Sequence, residues 1–365
     1  MRSVFPIKKG VMEMKINLKK EFFSDREFVI AENGNMKATA FKYSTGIEAI
    51  KVENSKGYFI ILPYKGQQIW RANFLGNELV MRTMMEEPQQ SNVYLETYGG
   101  FLLHCGVCAF GVPQSDDTHA QHGETPNADY QEAYIECGED YMAVGGKLYY
   151  DKSFVRNHTF NPECRLYEDD TVLKIKVNLE NRRATDMEYM YLCHINFRPI
   201  DGAELISSAD YDNIKVYKNV GDDLPKDHAE KLLNYMNAVE ENPRLMNKVG
   251  AEGQIYNPEI CFGIPYKGDE NNRAYNLQYT ENGACYVSHP TDVLPYSIRW
   301  ISRTATEDSM GMVLPSTGEH LGYSNAKRNG EVKILPGYGK LTFEMEAGWL
   351  EKERADQVKA KIENM

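Results

Sequence analysis

At 365 residues the chain exceeds the usual size of one compact core, which leaves two domains or one large β architecture. Its 42% hydrophobic and 11% aromatic content supports a packed interior and excludes global disorder. A formal net charge of −12 without any Lys/Arg-rich block excludes the footprint of a nucleic-acid binder and speaks for solubility.

Residues 1–57 read as short strands joined by turns: Met14 to Leu18, Glu27 to Ala31, and Lys37 to Lys42. Asn33-Gly34 between the last two is a hairpin signal. Tyr58 to Leu62 is a continuous apolar run of strand length closed by Pro63, and a further strand starts near Gln68-Ile69-Trp70-Arg71. No helix separates these strands, so the pattern is not βαβ. Residues 82–134 differ, with Gly99-Gly100, Pro113, Asp116-Asp117 and a run from His119 to Asn127. Long polar irregular stretches in a β protein are usually its functional loops.

Strands resume at Tyr134 to Cys137, Ala143 to Tyr150, Ser153 to Phe160 and Cys164 to Tyr167. In Val172 to Leu179, residues Leu173, Ile175, Val177 and Leu179 alternate with Lys174, Lys176 and Asn178, a strand with one wet face. From Met187 onward the pattern places Tyr189, Tyr191, Cys193, Ile195 and Phe197 on one face, and Met190, Leu192, His194 and Asn196 on the other. Both faces are mostly apolar, as in a strand buried between two layers. A helix is expected over about 225–242, capped by Asp223, with Ala229, Leu232, Leu233 and Met236 at helical spacing and Pro243 as its stop. It reads as an insertion (about 223–247) on the sandwich edge, or as a contact in a homodimer. More strands follow, then a C-terminal helix over about 350–364 with Ala355, Val358 and Ile362 on one stripe. About 18 strands and two helices, with no linker or repeat, predict an all-β class: one large antiparallel β-sandwich domain spanning 1–365.

Seven cysteines at 105, 108, 137, 164, 193, 261 and 285 share no repeating spacing and read as free thiols of a reducing compartment. Cys105 and Cys108 form a lone C-x-x-C, either two small buried residues or a redox or zinc pair. Arg2, Lys8 and Lys9 precede no apolar run of signal-peptide length, and no window approaches the roughly 20 apolar residues of a membrane span. A cytoplasmic protein with no membrane or nucleic-acid partner is therefore expected.

His194 in the Met187 segment is either a core histidine satisfied by a backbone carbonyl or a general acid at the floor of a cleft. His119, His122 and Glu124, with His104 nearby, offer a possible zinc or manganese set, although no standard ligand spacing is present. Asp116-Asp117 and Asp169-Asp170 read as solvated turns, and no serine sits in a G-x-S-x-G elbow.

Four segments then carry a resemblance. Ile61 to Ile69 (ILPYKGQQI), Gly76 to Leu79 (GNEL), His122-Gly123 with Asn127, and Cys193 to Phe197 (CHINF) occur in the order found in the aldose 1-epimerase (galactose mutarotase-like) superfamily. Between about 25 and 348 the chain resembles that superfamily, in particular its uncharacterised aldose 1-epimerase-family branch. The resemblance implies a β-supersandwich with an open sugar cleft, His194 as the acid at the ring oxygen, and His122 as a second sugar-binding histidine. It also suggests Trp70, Arg71, His104, Glu124, Asn127, Arg299 and Trp300 as substrate contacts. Arg299 and Trp300 must face opposite sides of their strand, so only one reaches the cleft.

One departure stands out. Where the superfamily places a Glu-Pro base, this chain reads Leu314-Pro315, and Glu319 five residues on is the candidate replacement. The implied function is mutarotase-type acid/base interconversion of sugar anomers, without a cofactor. The alternatives are a metal-assisted isomerase, epimerase or lyase acting on a keto-sugar, and a sugar-binding protein without catalysis.

Overall fold

The computed structural model describes residues 5–6, 13–221 and 224–365. Two large sheets dominate, and every ladder but the short Phe5–Pro6 pairing is antiparallel. Along the larger, fourteen-stranded sheet run Phe28–Asn33, Met36–Lys42, Glu48–Asn54, Gly57–Ile61, Ile69–Phe74, Leu102–Val107, Met187–Ile195, Asp308–Ser316, Tyr296–Arg303, Ile260–Pro265 and Lys215–Tyr217. The second sheet has nine strands, with Val172–Asn181 and Lys340–Glu351 among its central ones. Its Val172 strand buries Leu173, Ile175, Val177 and Leu179, as the alternation predicts. The Asn33-Gly34 signal is a tight hairpin: Asn33 pairs with Met36, and Gly34 takes φ +57°, a conformation open to glycine at little cost.

The Met187–Ile195 strand lies in the middle of the larger sheet, between Leu102–Val107 and Asp308–Ser316. Its two faces divide as the sequence pattern requires. Tyr189, Tyr191, Cys193 and Ile195 enter the core between the sheets, where the Tyr191 ring meets Phe343 at 5.2 Å and Phe160 at 6.1 Å. Met190 and Leu192 join a separate apolar cluster with Leu103, Cys105, Ile298 and Leu314 on the opposite face. Each such buried aliphatic side chain contributes about 1.5–3 kcal/mol by leaving water. That second face is roofed by loops and helices rather than by another sheet.

Helix α1 (Lys226–Glu241) packs against the edge strand Lys215–Tyr217, matching the expected insertion. It buries Leu232, Tyr235, Met236 and Val239, so its apolar stripe is turned slightly from the one expected through Ala229 and Leu233. The expected cap, Asp223, lies outside the described residues. A 3₁₀ turn, Pro243–Asn247, follows, with the Asn242 side chain accepting from Arg244 N. A short helix that the sequence reading did not foresee, α2 (Gly322–Arg328), follows the Asp308–Ser316 strand. Helix α3 (Lys352–Glu363) begins later than expected because the Lys340–Glu351 strand runs on to Glu351. All seven cysteines are free thiols. Among the described residues, no helix is long and apolar enough to cross a membrane.

Candidate functional site

Over the second face of the larger sheet lies a cleft of about 230 Å³, smaller than the about 300–1,000 Å³ typical of drug-sized ligand sites. Its floor is His194 and Leu192 from the central strand, Leu314 from the next, and Ile298 and Trp300 from the one beyond. The loop region 82–134 supplies Tyr94, Tyr98, Gln121 and His122, and the segment after Ser316 supplies His320. Met236 of α1 and Glu259 close the rim. The irregular stretch singled out in the sequence is thus one wall of the cavity.

The fixed element of the site is His194. Its Nδ1 lies 2.7 Å from Asn196 Oδ1, and the amide orientation is set because Asn196 Nδ2 donates to Gly100 O at 3.0 Å. Oδ1 must therefore accept, so Nδ1 carries the ring proton, and Tyr98 Oη donates to the same oxygen at 3.0 Å. The ring makes no other hydrogen bond among the described residues, which leaves Nε2 as the atom offered to the cleft. Burial pulls the imidazole pKa down to about 4, against a smaller upward effect of the Asn196 hydrogen bond. At neutral pH the ring is uncharged and Nε2 is a proton acceptor. A core histidine satisfied by a carbonyl also leaves one ring nitrogen without a partner; what sets His194 apart is that it lines the cleft.

Two more imidazoles stand nearby. The His122 ring centroid is 5.4 Å from that of His194 and 4.5 Å from Tyr94, and its Nδ1 is buried without a partner. Burial holds His122 well below its usual pKa, with further lowering from His194 and His320. The backbone here is left-handed (φ +59°), an uncommon conformation for a residue with a Cβ, pinned by His122 N donating to Gly111 O and Gly106 N donating to His122 O, both at 3.0 Å. His320 packs edge-on against Tyr217 at 4.5 Å, with its Nδ1 also buried and unpartnered; burial lowers its pKa to about 4. The close approach behind it depends on Gly111 (φ +86°), where an added Cβ would sit 1.9 Å from His320 O.

Trp300 and Glu259 complete the constellation. The Trp300 ring lies 5.5 Å from His194 and 6.0 Å from Tyr98, both edge-on, and its Nε1 donates to Glu259 Oε2 at 2.6 Å. Glu259 is the carboxylate of this cleft, placed just before the Ile260–Pro265 strand. Sequence reasoning missed it, as it missed His320, Tyr94, Tyr98 and Tyr217. An indole beside a carboxylate offers a flat apolar face for sugar C–H groups with an acceptor at its edge.

Several expected site residues lie elsewhere. Glu319 does not reach the cleft: both its oxygens accept from Lys215 Nζ at 2.8 Å, and it lines a separate cavity with Asp210 and Tyr296. Neighbouring His320 is the one turned inward. Leu314, at the position where a base was expected, does face the cleft, as an apolar wall. His104 is on the wrong face of its strand; it bonds Tyr191 Oη at 2.7 Å inside the core between the sheets. Strand alternation explains this, since Leu103 and Cys105 take the cleft side. Arg299 is buried and donates through Nε to Met312 O at 3.1 Å, so Trp300 is the one of the pair that reaches the cleft.

Trp70 is fully buried in a small cluster with Ile47, Ala49 and Leu62. Arg71 is spent on backbone carbonyls of Trp70 (2.8 Å) and Gly99 (3.0 Å). Asn127 links Gln68 Nε2 (2.8 Å) to Val93 O (3.0 Å), a structural clasp. The proposed metal donors diverge. The Glu124 carboxylate accepts Val107 N at 2.9 Å and Cys108 N at 3.0 Å, while His119 Nδ1 bonds Ala120 O at 2.8 Å and its Nε2 accepts from Tyr323 N at 3.3 Å. Among the described residues no three His, Cys, Asp or Glu side chains are arranged to hold a metal ion.

The fold is that of galactose mutarotase-like proteins. A candidate aldose 1-epimerase of Klebsiella pneumoniae superposes with a TM-score of 0.77 at 14% identity, over 98% of this chain and 93% of that one. A galactose mutarotase-like protein of Clostridium acetobutylicum gives 0.58 at 13% identity, over 87% of this chain and 100% of its own. A candidate aldose 1-epimerase of Escherichia coli gives 0.53 at 13% identity, over 82% and 98%. At such identities the likeness establishes the fold alone. No curated protein matches the sequence. Residues 44–348 match the family described as Domain of unknown function (DUF4432), and the chain belongs to that family.

Proposed function

We propose that this cleft interconverts the anomers of a free sugar by proton transfer through His194. The observation that carries the reading is the Nε2 of a neutral imidazole, its other nitrogen anchored on Asn196, open to a small cleft beside Trp300 and Glu259. A ring accepting through one nitrogen and fixed through the other is the arrangement a general base needs. The fold of sugar-directed proteins supports the substrate class.

In the proposed cycle neutral His194 takes the proton of the anomeric hydroxyl. The O1–H bond breaks and an N–H bond forms. The imidazolium then gives that proton to the ring oxygen as the C1–ring-oxygen bond breaks and C1=O1 forms. Rotation about C1–C2 and reversal of the same steps close the other anomer. The Glu259 carboxylate offsets the transient positive charge on His194, and Trp300 holds both the carboxylate and the apolar sugar face. This account replaces Glu319 by Glu259 as the carboxylate of the site and uses no metal.

Saturation-transfer NMR between α and β anomers, over a panel of aldoses, keto-sugars and uronic acids, tests it. Catalysed exchange that falls at least tenfold in Glu259→Gln supports the assignment; undiminished exchange in that variant removes Glu259 from the mechanism. Sugar binding without catalysis is a second reading, favoured by the apolar Leu314 at the expected base position. It predicts a calorimetric binding signal without exchange for every sugar bound.

A further inference from the structure

The cleft does not end at His122. Tyr94, Leu95 and Gln121 line both the histidine cleft and an adjoining cavity of about 580 Å³. The adjoining cavity is the larger of the two and reaches the Tyr141–Lys152 strand of the other sheet, where Tyr149 and Tyr150 line it. Tyr149 is committed to the fold: its hydroxyl donates to Glu132 at 2.7 Å, and Lys147 covers its ring at 4.7 Å. Tyr150 packs on the buried His158 ring at 5.1 Å and 30°, which fixes a half-buried aromatic platform on the cavity wall. At the junction, the Gln121 amide makes no hydrogen bond among the described residues, and Gln131 at the far rim uses only its carbonyl, on Tyr149 N at 2.8 Å. Among the described residues neither cavity is lined by a lysine or arginine, whereas Glu259 lines the first and Glu124 and Asp129 the second, Asp129 being paired with Lys65 at 3.2 Å.

We infer that the adjoining cavity is a subsite for a second, uncharged sugar unit, so that the preferred substrate is a reducing disaccharide whose reducing ring occupies the histidine cleft. This rests on the sugar reading given above. An aromatic wall and unpaired amides suit pyranose C–H faces and hydroxyls, and the lining carboxylates disfavour an anionic group. The Gln121 amide is placed to meet hydroxyls of both rings.

The test compares α- and β-linked reducing disaccharides of glucose and galactose with the two monosaccharides, in wild type, Tyr150→Ala and Ala120→Trp. Tyr150 and Ala120 line the adjoining cavity and not the histidine cleft, and a tryptophan at 120 adds bulk at its wall. The expected result is a KM for anomer exchange about tenfold lower for at least one disaccharide than for its monosaccharide, the equivalent of one or two net hydrogen bonds. Both variants should lose that advantage while their monosaccharide exchange stays as in wild type. Equal KM values in wild type, or an advantage that survives both variants, overturns the subsite. Exchange with no sugar at all defeats the catalytic reading instead, and calorimetric titration then decides the subsite: tighter disaccharide binding lost in Tyr150→Ala sustains it, and no such difference overturns it.

Discussion

Replacing Asn196 by alanine tests how the site is held. Asn196 is fully buried, and its side chain makes three hydrogen bonds: from His194 Nδ1 (2.7 Å), from Tyr98 Oη (3.0 Å) and to Gly100 O (3.0 Å). Alanine leaves all three partners without a hydrogen bond in a region largely closed to water. At about 0.5–1.5 kcal/mol net per bond, the loss is roughly 2–4 kcal/mol of stability. The upward effect of Asn196 on the His194 pKa also disappears, so the ring stays neutral at pH 7 but is free to turn and to change tautomer. Misplacement on the order of 1 Å costs about 100-fold in rate. Chemical denaturation measures the first effect and anomer exchange the second. Asn196→Asp separates the two, because a carboxylate still accepts from Nδ1–H and raises the His194 pKa, moving the pH profile of exchange upward. A stability change of Asn196→Ala below about 1 kcal/mol, with exchange unaltered, would refute the reasoning that His194 is held by this residue.

Three further outcomes are expected. Glu319→Gln breaks the Lys215 pair yet leaves anomer exchange within about twofold of wild type, since the carboxylate faces another cavity; a loss comparable to that of Glu259→Gln would return Glu319 to the mechanism. Gly111→Ala places a Cβ 1.9 Å from His320 O in a left-handed backbone and should destabilise the fold by more than about 1 kcal/mol, which thermal melting reads directly. Stability should also fall as pH drops from about 6.5 towards 4, because the folded state holds His194 and His320 at about 4, and His104, His158 and His289 at about 3, all by burial, below the ordinary 6.5. In that window the unfolded chain binds protons that the folded chain refuses, each pKa unit being worth about 1.4 kcal/mol per histidine. A denaturation midpoint unchanged between pH 7.5 and pH 5 would contradict this.

The division between what was legible in the sequence and what was not follows from range. Period-2 alternation is local, so it assigned Tyr191 and Cys193 to the core and His194 to the opposite face correctly. The same rule would have removed His104 from the site, had the segment after Gly99-Gly100 been recognised as the strand Leu102–Val107 rather than as loop. After Ser316 the strand ends and the chain bends, so period-2 alternation no longer applies; the inward group there is His320, while Glu319 turns to Lys215. Polar and glycine-rich composition marked the 82–134 wall, yet it could not say which of its side chains were spent: Glu124 and Asn127 bond backbone and amide groups, while Tyr94, Tyr98, Gln121 and His122 line the cleft. Glu259 was invisible for a different reason. Its role depends on an indole 41 positions away on the next strand, and no local pattern in the chain encodes that pairing.

The most direct measurement is anomer exchange by saturation-transfer NMR in wild type and in His194→Ala, at equal concentrations of folded protein. Exchange catalysed by wild type and reduced at least 100-fold in the variant is the predicted result, as expected for removal of a general acid–base group. Wild-type exchange that persists in His194→Ala would contradict the central claim, because the cleft would then be acting without the imidazole on which the proposed cycle depends.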